Sequence, residues 1–337
     1  MPHGASLHSK NNLFSGLSKY LKREKEDGLV SFETVTIAYI LITSVMIAVE
    51  WGSLNNPLRM LMVRGIVLAA IALMNGVYRL YPCRAIILLR TAWLFAMLIY
   101  WYPETYEFCS HFDYKDHIFA AIDYRVFGCQ PSLVFDQILS STFWYELFNL
   151  GYTSYYYLMI SMVVFYFLAR YEQFRWATFV FLASFFMFYL VFEFLPVAGP
   201  QYYYCANGVE MGLTDNFPQM HDYFRTHTEI LPLEVRGPFS KMVLAAQVAG
   251  EHPTAAFPSS HVGMTTVTLI LAWKTRCRKF FWILLPFAIV LFFATVYVKA
   301  HYAVDSVAGI LFGSLFFCIT SAVYRRFVEK KPVVSPV

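Results

Sequence analysis

Phe280-Phe281-Trp282-Ile283-Leu284-Leu285-Pro286-Phe287-Ala288-Ile289-Val290-Leu291-Phe292-Phe293-Ala294-Thr295-Val296-Tyr297-Val298 carries no charge, and Lys299-Ala300-His301-Tyr302-Ala303-Val304-Asp305 follows directly. A run of this length matches the ~20 apolar residues that a helix needs to cross a bilayer core. His301 opens the next apolar run, and Phe257-Pro258-Ser259-Ser260-His261 opens the one before. Both histidines therefore stand at the mouths of membrane helices, where a polar side chain is costly unless it has work or partners. Two histidines, with an aspartate one helical turn beyond the second, are the parts needed to move a phosphoryl group through a covalent phosphohistidine.

The same reading applied outward gives eight spans, at about 32–51, 60–78, 85–102, 151–169, 174–195, 259–273, 280–299 and 302–323. Arg64 lies inside the second, near enough to an end to snorkel. The chain of 337 residues is 58% hydrophobic and 14% charged, where a soluble domain is nearer a quarter charged. These numbers predict an all-α, polytopic transmembrane helical bundle. Lys and Arg exceed Asp and Glu by only 26 to 22, so net charge says little about partners; no nucleic-acid partner is expected. The expected partners are the bilayer and lipid substrates, with oligomeric state left open.

Residues 1–31 are polar and basic and read as a cytoplasmic segment without a cleavable signal. Placing them inside puts Lys19, Lys22, Arg23, Lys25, Arg79, Arg84, Arg170, Arg175, the run Lys274–Lys279, Arg325, Arg326, Lys330 and Lys331 on one side. Basic loops belong in the cytoplasm, so both termini are expected there, with 324–337 as a tail. Two long loops, 103–150 and 196–258, then lie outside the cytoplasm with both histidines. In the first, Ile118, Ile122 and Val126 recur at helical spacing and predict interfacial helices over the site, while Phe127-Gly128-Cys129-Gln130-Pro131-Ser132 reads as a turn. The second loop reads as a cap. Cys109 and Cys129 are a candidate disulfide pair or, alternatively, small buried apolar residues. The six cysteines show no metal-ligand spacing; neither a metal nor a cofactor is expected.

His301 and Asp305, at i and i+4, share a helix face. Asp305 can accept from one imidazole nitrogen and fix the tautomer, leaving the other nitrogen as a nucleophile. Alone, this pair fits equally a hydrogen bond that locks two helices. His261 adds a helix entry at which Ser259 or Ser260 can cap and free amides can attract an anion. There His261 is placed to protonate a leaving oxygen.

Together these segments resemble the second and third signature motifs of the type 2 phosphatidic acid phosphatase superfamily. The likeness covers roughly 85–323, which implies a six-helix catalytic core, with 32–84 as two additional N-terminal helices. It implies His301 as nucleophile, Asp305 as its orienting residue and His261 as general acid. Two departures stand out. Ala294 and Thr295 occupy the positions of the family's Ser-Arg, and Phe192–Tyr204 lacks the basic residues of its first motif. A less positive site suits a phosphodiester over a phosphomonoester dianion, unless Arg236, Lys241 or Lys299 supplies charge from elsewhere.

Thr295-Val296-Tyr297-Val298-Lys299-Ala300-His301-Tyr302-Ala303-Val304-Asp305 and Asp123-Tyr124-Arg125-Val126-Phe127-Gly128-Cys129-Gln130-Pro131-Ser132 are similar to runs in the inositol phosphorylceramide synthases, the fungal targets of aureobasidin. Sphingomyelin synthases look less alike, and bacterial relatives share the signature. That branch implies transfer of phosphoinositol from phosphatidylinositol to the primary hydroxyl of ceramide, with release of diacylglycerol. It would act in the inner or plasma membrane of a bacterium, or the Golgi of a fungus-like cell, with an extracytoplasmic active site. A lipid phosphate phosphatase, acting on phosphatidic acid, a phosphorylated inositol lipid or polyprenyl pyrophosphate, is the alternative; a non-catalytic transporter is the third reading. Gln201, Tyr202, Tyr297, Lys299, Asp123 and Arg236 join Ser259 and Ser260 as candidate substrate contacts, each with a packing or solvated role as its rival. Glu193, inside a span, requires a partner.

Overall fold

The computed structural model describes residues 20–24, 28–109 and 112–328. Lys19, Lys25, Lys330 and Lys331, which entered the topology reading, lie outside the described residues. The fold is an all-α polytopic bundle, with no strand among the described residues. Its helices are α1 (Ser31–Val49), α2 (Pro57–Leu80), α3 (Arg84–Cys109), α4 (Asp116–Phe127), α5 (Pro131–Ile138), α6 (Thr142–Ala169), α7 (Tyr171–Phe194), α8 (Pro200–Asn207), α9 (Pro238–Gly250), α10 (Ser260–Lys274), α11 (Arg278–Tyr297) and α12 (Ala303–Val323). Proline at the first helical position starts α2, α5, α8 and α9, where its missing N–H costs nothing. Gly128, in the left-handed region at φ 69°, ends α4, so the expected turn joins α4 to α5.

The chain divides into two compact units, Met1–Trp51 with Asn56–Ile99, and Gly52–Asn55 with Tyr100–Val337. In the first, α1 packs on α2. Arg90 forms a buried ion pair with Glu33, whose carboxylate also accepts from the Val30 amide at 3.1 Å. Arg64 is 2% exposed and donates to Thr43 Oγ1 and the Met60 carbonyl, both at 3.1 Å. It satisfies its guanidinium inside the unit instead of snorkelling to a helix end.

In the second unit, α10 packs against α6, α7, α11 and α12. Among the described residues, seven helices are long and apolar enough to cross a membrane: α1, α2, α3, α6, α7, α11 and α12 with its extension to Val328. The eighth expected span, 259–273, forms α10, which has only 15 residues. Ringed by four helices, α10 has little lipid to face, and so escapes the length that lipid contact demands. Two other boundaries differ from the sequence reading. Helix α3 continues past Pro103 to Cys109, and α6 begins at Thr142, because polar turns extend these helices beyond their apolar runs.

The contact that places the two histidine segments is made by glycine. A Cβ on Gly309 would lie 2.6 Å from the Ser259 carbonyl oxygen, and one on Gly313 2.4 Å from that of Gly263. Small residues four apart let helix backbones approach closely in membranes; here they seat α12 on the first turns of α10. Gly313→Ala should therefore drive the two backbones apart, with an overpacking cost of about 1–3 kcal/mol. Thermal unfolding in detergent should show a lowered Tm, and an unchanged Tm would refute this role.

Candidate active site

Ser259 caps α10 by accepting from the Val262 amide at 3.4 Å. Its own amide donates to the Asp305 carbonyl at 3.1 Å, so the two histidine segments are joined through backbone. His261 follows in the first turn of α10, between the rings of Tyr152 and Tyr155, with centroids at 4.7 and 4.5 Å. His301 lies in the short link between α11 and α12, 3% exposed. Its Nε2 is 3.4 Å from His261 Nδ1.

The other imidazole nitrogen fixes the chemistry. His301 Nδ1 is 2.7 Å from the Ala256 carbonyl oxygen. A carbonyl only accepts, so the proton resides on Nδ1 and Nε2 presents a lone pair toward His261. The expected hydrogen bond to Asp305 is not formed: Oδ2 lies 3.9 Å from Nδ1, beyond hydrogen-bond range. Oδ2 instead accepts from the Tyr302 amide at 2.8 Å, capping α12. Orientation thus comes from Ala256, while Asp305 shapes the turn and sets a carboxylate near the ring. Burial holds the His301 imidazole down at about 4, against the Ala256 bond, which raises it.

A family model described as PAP2 superfamily matches residues 117–319. The chain belongs to the PAP2 superfamily. No curated protein and no solved structure matches the chain. Superfamily membership makes this a membrane phosphatase or phosphotransferase of the lipid-processing type.

Around the PAP2 histidine pair is a cavity of about 20 Å³, lined by Ser260, His261, His301, Gln201, Tyr202, Tyr102, Tyr152 and Glu251 among others. It has room for about one water, so a headgroup enters only if side chains move. No Lys or Arg is among its lining residues. Of the three cations offered from elsewhere, two are engaged: Lys299 pairs with Asp136, and Arg236 pairs with Glu234 at 2.7 Å. Lys241 is exposed.

The remaining candidates divide by place. Gln201 and Tyr202 join Ser260 and the histidines, whereas Tyr297, Lys299 and Arg236 line a separate cavity that shares Gln201. Tyr297 donates to the Leu139 carbonyl at 2.7 Å. Asp123 lines neither cavity. It is fully buried and accepts from the Ala303 and Val304 amides at 2.7 and 2.9 Å, so it anchors the start of α12. Burial pushes its carboxyl up to about 6, against those bonds. Glu193 is buried near the end of α7. All six cysteines are free, and Cys109 Sγ sits 3.1 Å from Thr254 Oγ1, so the Cys109–Cys129 pairing is not made. No cluster suited to a metal occurs among the described residues.

Sequence reasoning missed Glu251. Its carboxylate accepts from Gln201 Nε2 at 2.9 Å and Tyr152 Oη at 3.1 Å. Burial pushes its carboxyl above the usual range, against both bonds. No local pattern marks it, because its partners come from α8 and α6. It missed Asp116 for the same reason, since that side chain receives the Ala198 and Gly199 amides at 2.9 and 2.8 Å.

These contacts separate an anchor from a substrate ligand. Asp123→Ala should lower Tm without any lipid present, as a lost helix cap removes about 0.5–2 kcal/mol of stability. A variant with unaltered Tm but weakened donor-lipid binding would return Asp123 to the substrate.

Proposed function

We propose that this protein is a lipid headgroup transferase of the inositol phosphorylceramide synthase type. It moves a phosphoinositol or similar headgroup from a phospholipid to the primary hydroxyl of ceramide and releases diacylglycerol. The observation that carries this reading is the histidine pair: a lone pair on His301 Nε2 facing His261, in a cavity lined by no lysine or arginine. A phosphomonoester dianion carries about two charges and needs cations to hold it; a diester carries one.

The reaction has two steps. His301 Nε2 attacks phosphorus, the bond from phosphorus to the diacylglycerol oxygen breaks, and His261 donates a proton to that oxygen. The headgroup phosphate remains on His301 as a phosphoramidate. The Asp305 carboxylate, 3.9 Å from Nδ1, stabilises the positive charge that develops on the ring. Neutral His261 then takes the proton of the ceramide hydroxyl, whose oxygen attacks phosphorus and breaks the P–N bond. Basic loops support cytoplasmic termini and an extracytoplasmic site. The sequence likeness supports residues 85–323 as the catalytic core and 32–84 as an added pair of helices.

Purified protein given headgroup-labelled phosphatidylinositol should form a new alkali-stable lipid only when ceramide is added. Label released to water regardless of ceramide would replace transfer by hydrolysis. His301→Ala and Asp305→Ala should each abolish turnover, since nucleophile and helper act as one unit. More than a few per cent of activity left in His301→Ala would sink the covalent route.

The pH profile follows from the depressed His301 value. The ring is neutral, and nucleophilic, at pH values above its pKa. The acid limb of kcat/KM, which reports the free enzyme, should therefore fall near pH 4, well below the ordinary imidazole range. A limb at 6 or above, from His301, would contradict the buried, Ala256-bonded ring.

A further inference from the structure

We infer that Glu251 is a positioning residue for His261, acting through the hydroxyl and ring of Tyr152. This deepens the transfer reading and rests on its use of His261 as proton donor, a role common to transfer and hydrolysis.

The two histidines are held differently. His301 is fixed at Nδ1 by the Ala256 carbonyl at 2.7 Å. His261 has no such bond. Among the described residues, its one polar contact is Nδ1 to His301 Nε2 at 3.4 Å, longer than an ordinary N–H hydrogen bond. A pair of tyrosines confines the ring instead. Tyr152 stacks on it at 4.7 Å with the planes 26° apart, and Tyr155 leans on it at 4.5 Å and 45°. Such a stack places the imidazole only as firmly as the tyrosine is itself held.

Glu251 holds it. The Tyr152 hydroxyl donates to Glu251 Oε1 at 3.1 Å. Gln201 Nε2 donates to the other carboxylate oxygen at 2.9 Å. The Gln201 backbone amide in turn donates to the Lys299 carbonyl at 2.9 Å, two residues before His301. A continuous chain therefore runs from the link that carries the nucleophile, through Gln201, Glu251 and Tyr152, to the ring of the proton donor. Glu251 is its middle member, at the end of α9.

The chemistry of that middle position requires a carboxylate. Two donors converge on it from different helices, and a carboxylate offers an acceptor oxygen to each. A glutamine would turn an NH2 toward one of them. Glu251 is also the only carboxyl in a lining without Lys or Arg. A buried acid without a cation is costly, and a titratable group kept in a cleft at such cost marks a functional place. The benefit is geometric, since a displacement of about 1 Å at a reacting group can cost about 10²-fold.

The test is single-turnover cleavage by full-length protein in detergent, with protein in excess over donor, which isolates the first step. Two donors are compared. Phosphatidylinositol releases an alkoxide that needs a proton; the para-nitrophenyl ester of inositol phosphate releases a phenolate that does not. Glu251→Met keeps the length and removes both acceptors, and Tyr152→Phe keeps the ring and removes the hydroxyl. Each should slow phosphatidylinositol cleavage about 10–100-fold and the nitrophenyl ester far less. His261→Ala should show the same selectivity, and the double variant Glu251→Met/Tyr152→Phe should be no slower than Glu251→Met. Should Glu251→Met fail to fold, Tyr152→Phe carries the same expectation. Equal slowing of both donors, which a packing role would give, would overturn the inference. So would unslowed cleavage, or additive losses in the double variant. Selectivity in His261→Ala without it in Glu251→Met would overturn the inference and leave the transfer reading standing. Turnover of neither inositol donor would remove the phosphoinositol reading alone. Phosphatidic acid and para-nitrophenyl phosphate would then make the same comparison, and turnover of neither pair would remove both.

Discussion

Two carboxylates on one face of α4 hold together the end of the molecule that carries the histidine pair. Asp116 accepts from the Ala198 and Gly199 amides and, at 3.1 Å, from the Tyr302 hydroxyl. Asp123, two turns along, accepts from the Ala303 and Val304 amides. A short amphipathic helix thereby grips the entry to α8 and the entry to α12 at once. Each gripped amide is one that a helix or turn leaves without a partner. The reach is long in sequence: Asp123 is 180 positions from Ala303. Between these two anchors lies the link that carries His301, whose ring is then fixed by the Ala256 carbonyl. Gly199 needs its glycine here, because at φ 96° a Cβ would stand 2.7 Å from the Ala300 carbonyl oxygen.

This arrangement explains how a membrane protein tolerates two histidines and several acids near one another. The costs of burying polar groups are met locally, by amides and hydroxyls and not by opposite charges. The histidine cavity therefore stays free of lysine and arginine, and the His301 ring does not depend on an ion pair for its neutral state. Lys299 and Arg236, paired with Asp136 and Glu234, line the neighbouring cavity instead.

Much of this was legible in the chain because it is local. The apolar runs gave the helices, and the glycine and proline positions gave several of their ends. The His261 segment and the His301–Asp305 segment could be paired in advance, since each is defined within five residues. The rest depends on distant contacts. Ile118, Ile122 and Val126 mark the helix that forms there as α4, but its buried face is Asp116, Phe119, Ala120 and Asp123, which meets partners far along the chain, while Ile118 and Val126 are exposed. The roles given to Asp123 and Asp305 shifted likewise. Their carboxylates answer backbone amides, and amides carry no side-chain identity that a sequence can display. Ala256, the partner of His301, is invisible for the same reason.

The small size of the histidine cavity bears on transfer against hydrolysis. Space for about one water means that the resting site is nearly closed, and closed by a polar network: Tyr152 and Gln201 both donate to Glu251, and Gln247 donates to Gln201. A headgroup that enters must displace part of this network, so the water it meets is the little that the network admits. Gln201 is the shared member, facing both cavities. A ligand that engaged Gln247 from the larger cavity would loosen the hydrogen bond holding Gln201, and through it the hold on Glu251. Entry to the histidine cavity is thereby tied to the hydrogen bonds of Gln201, the residue that both cavities share.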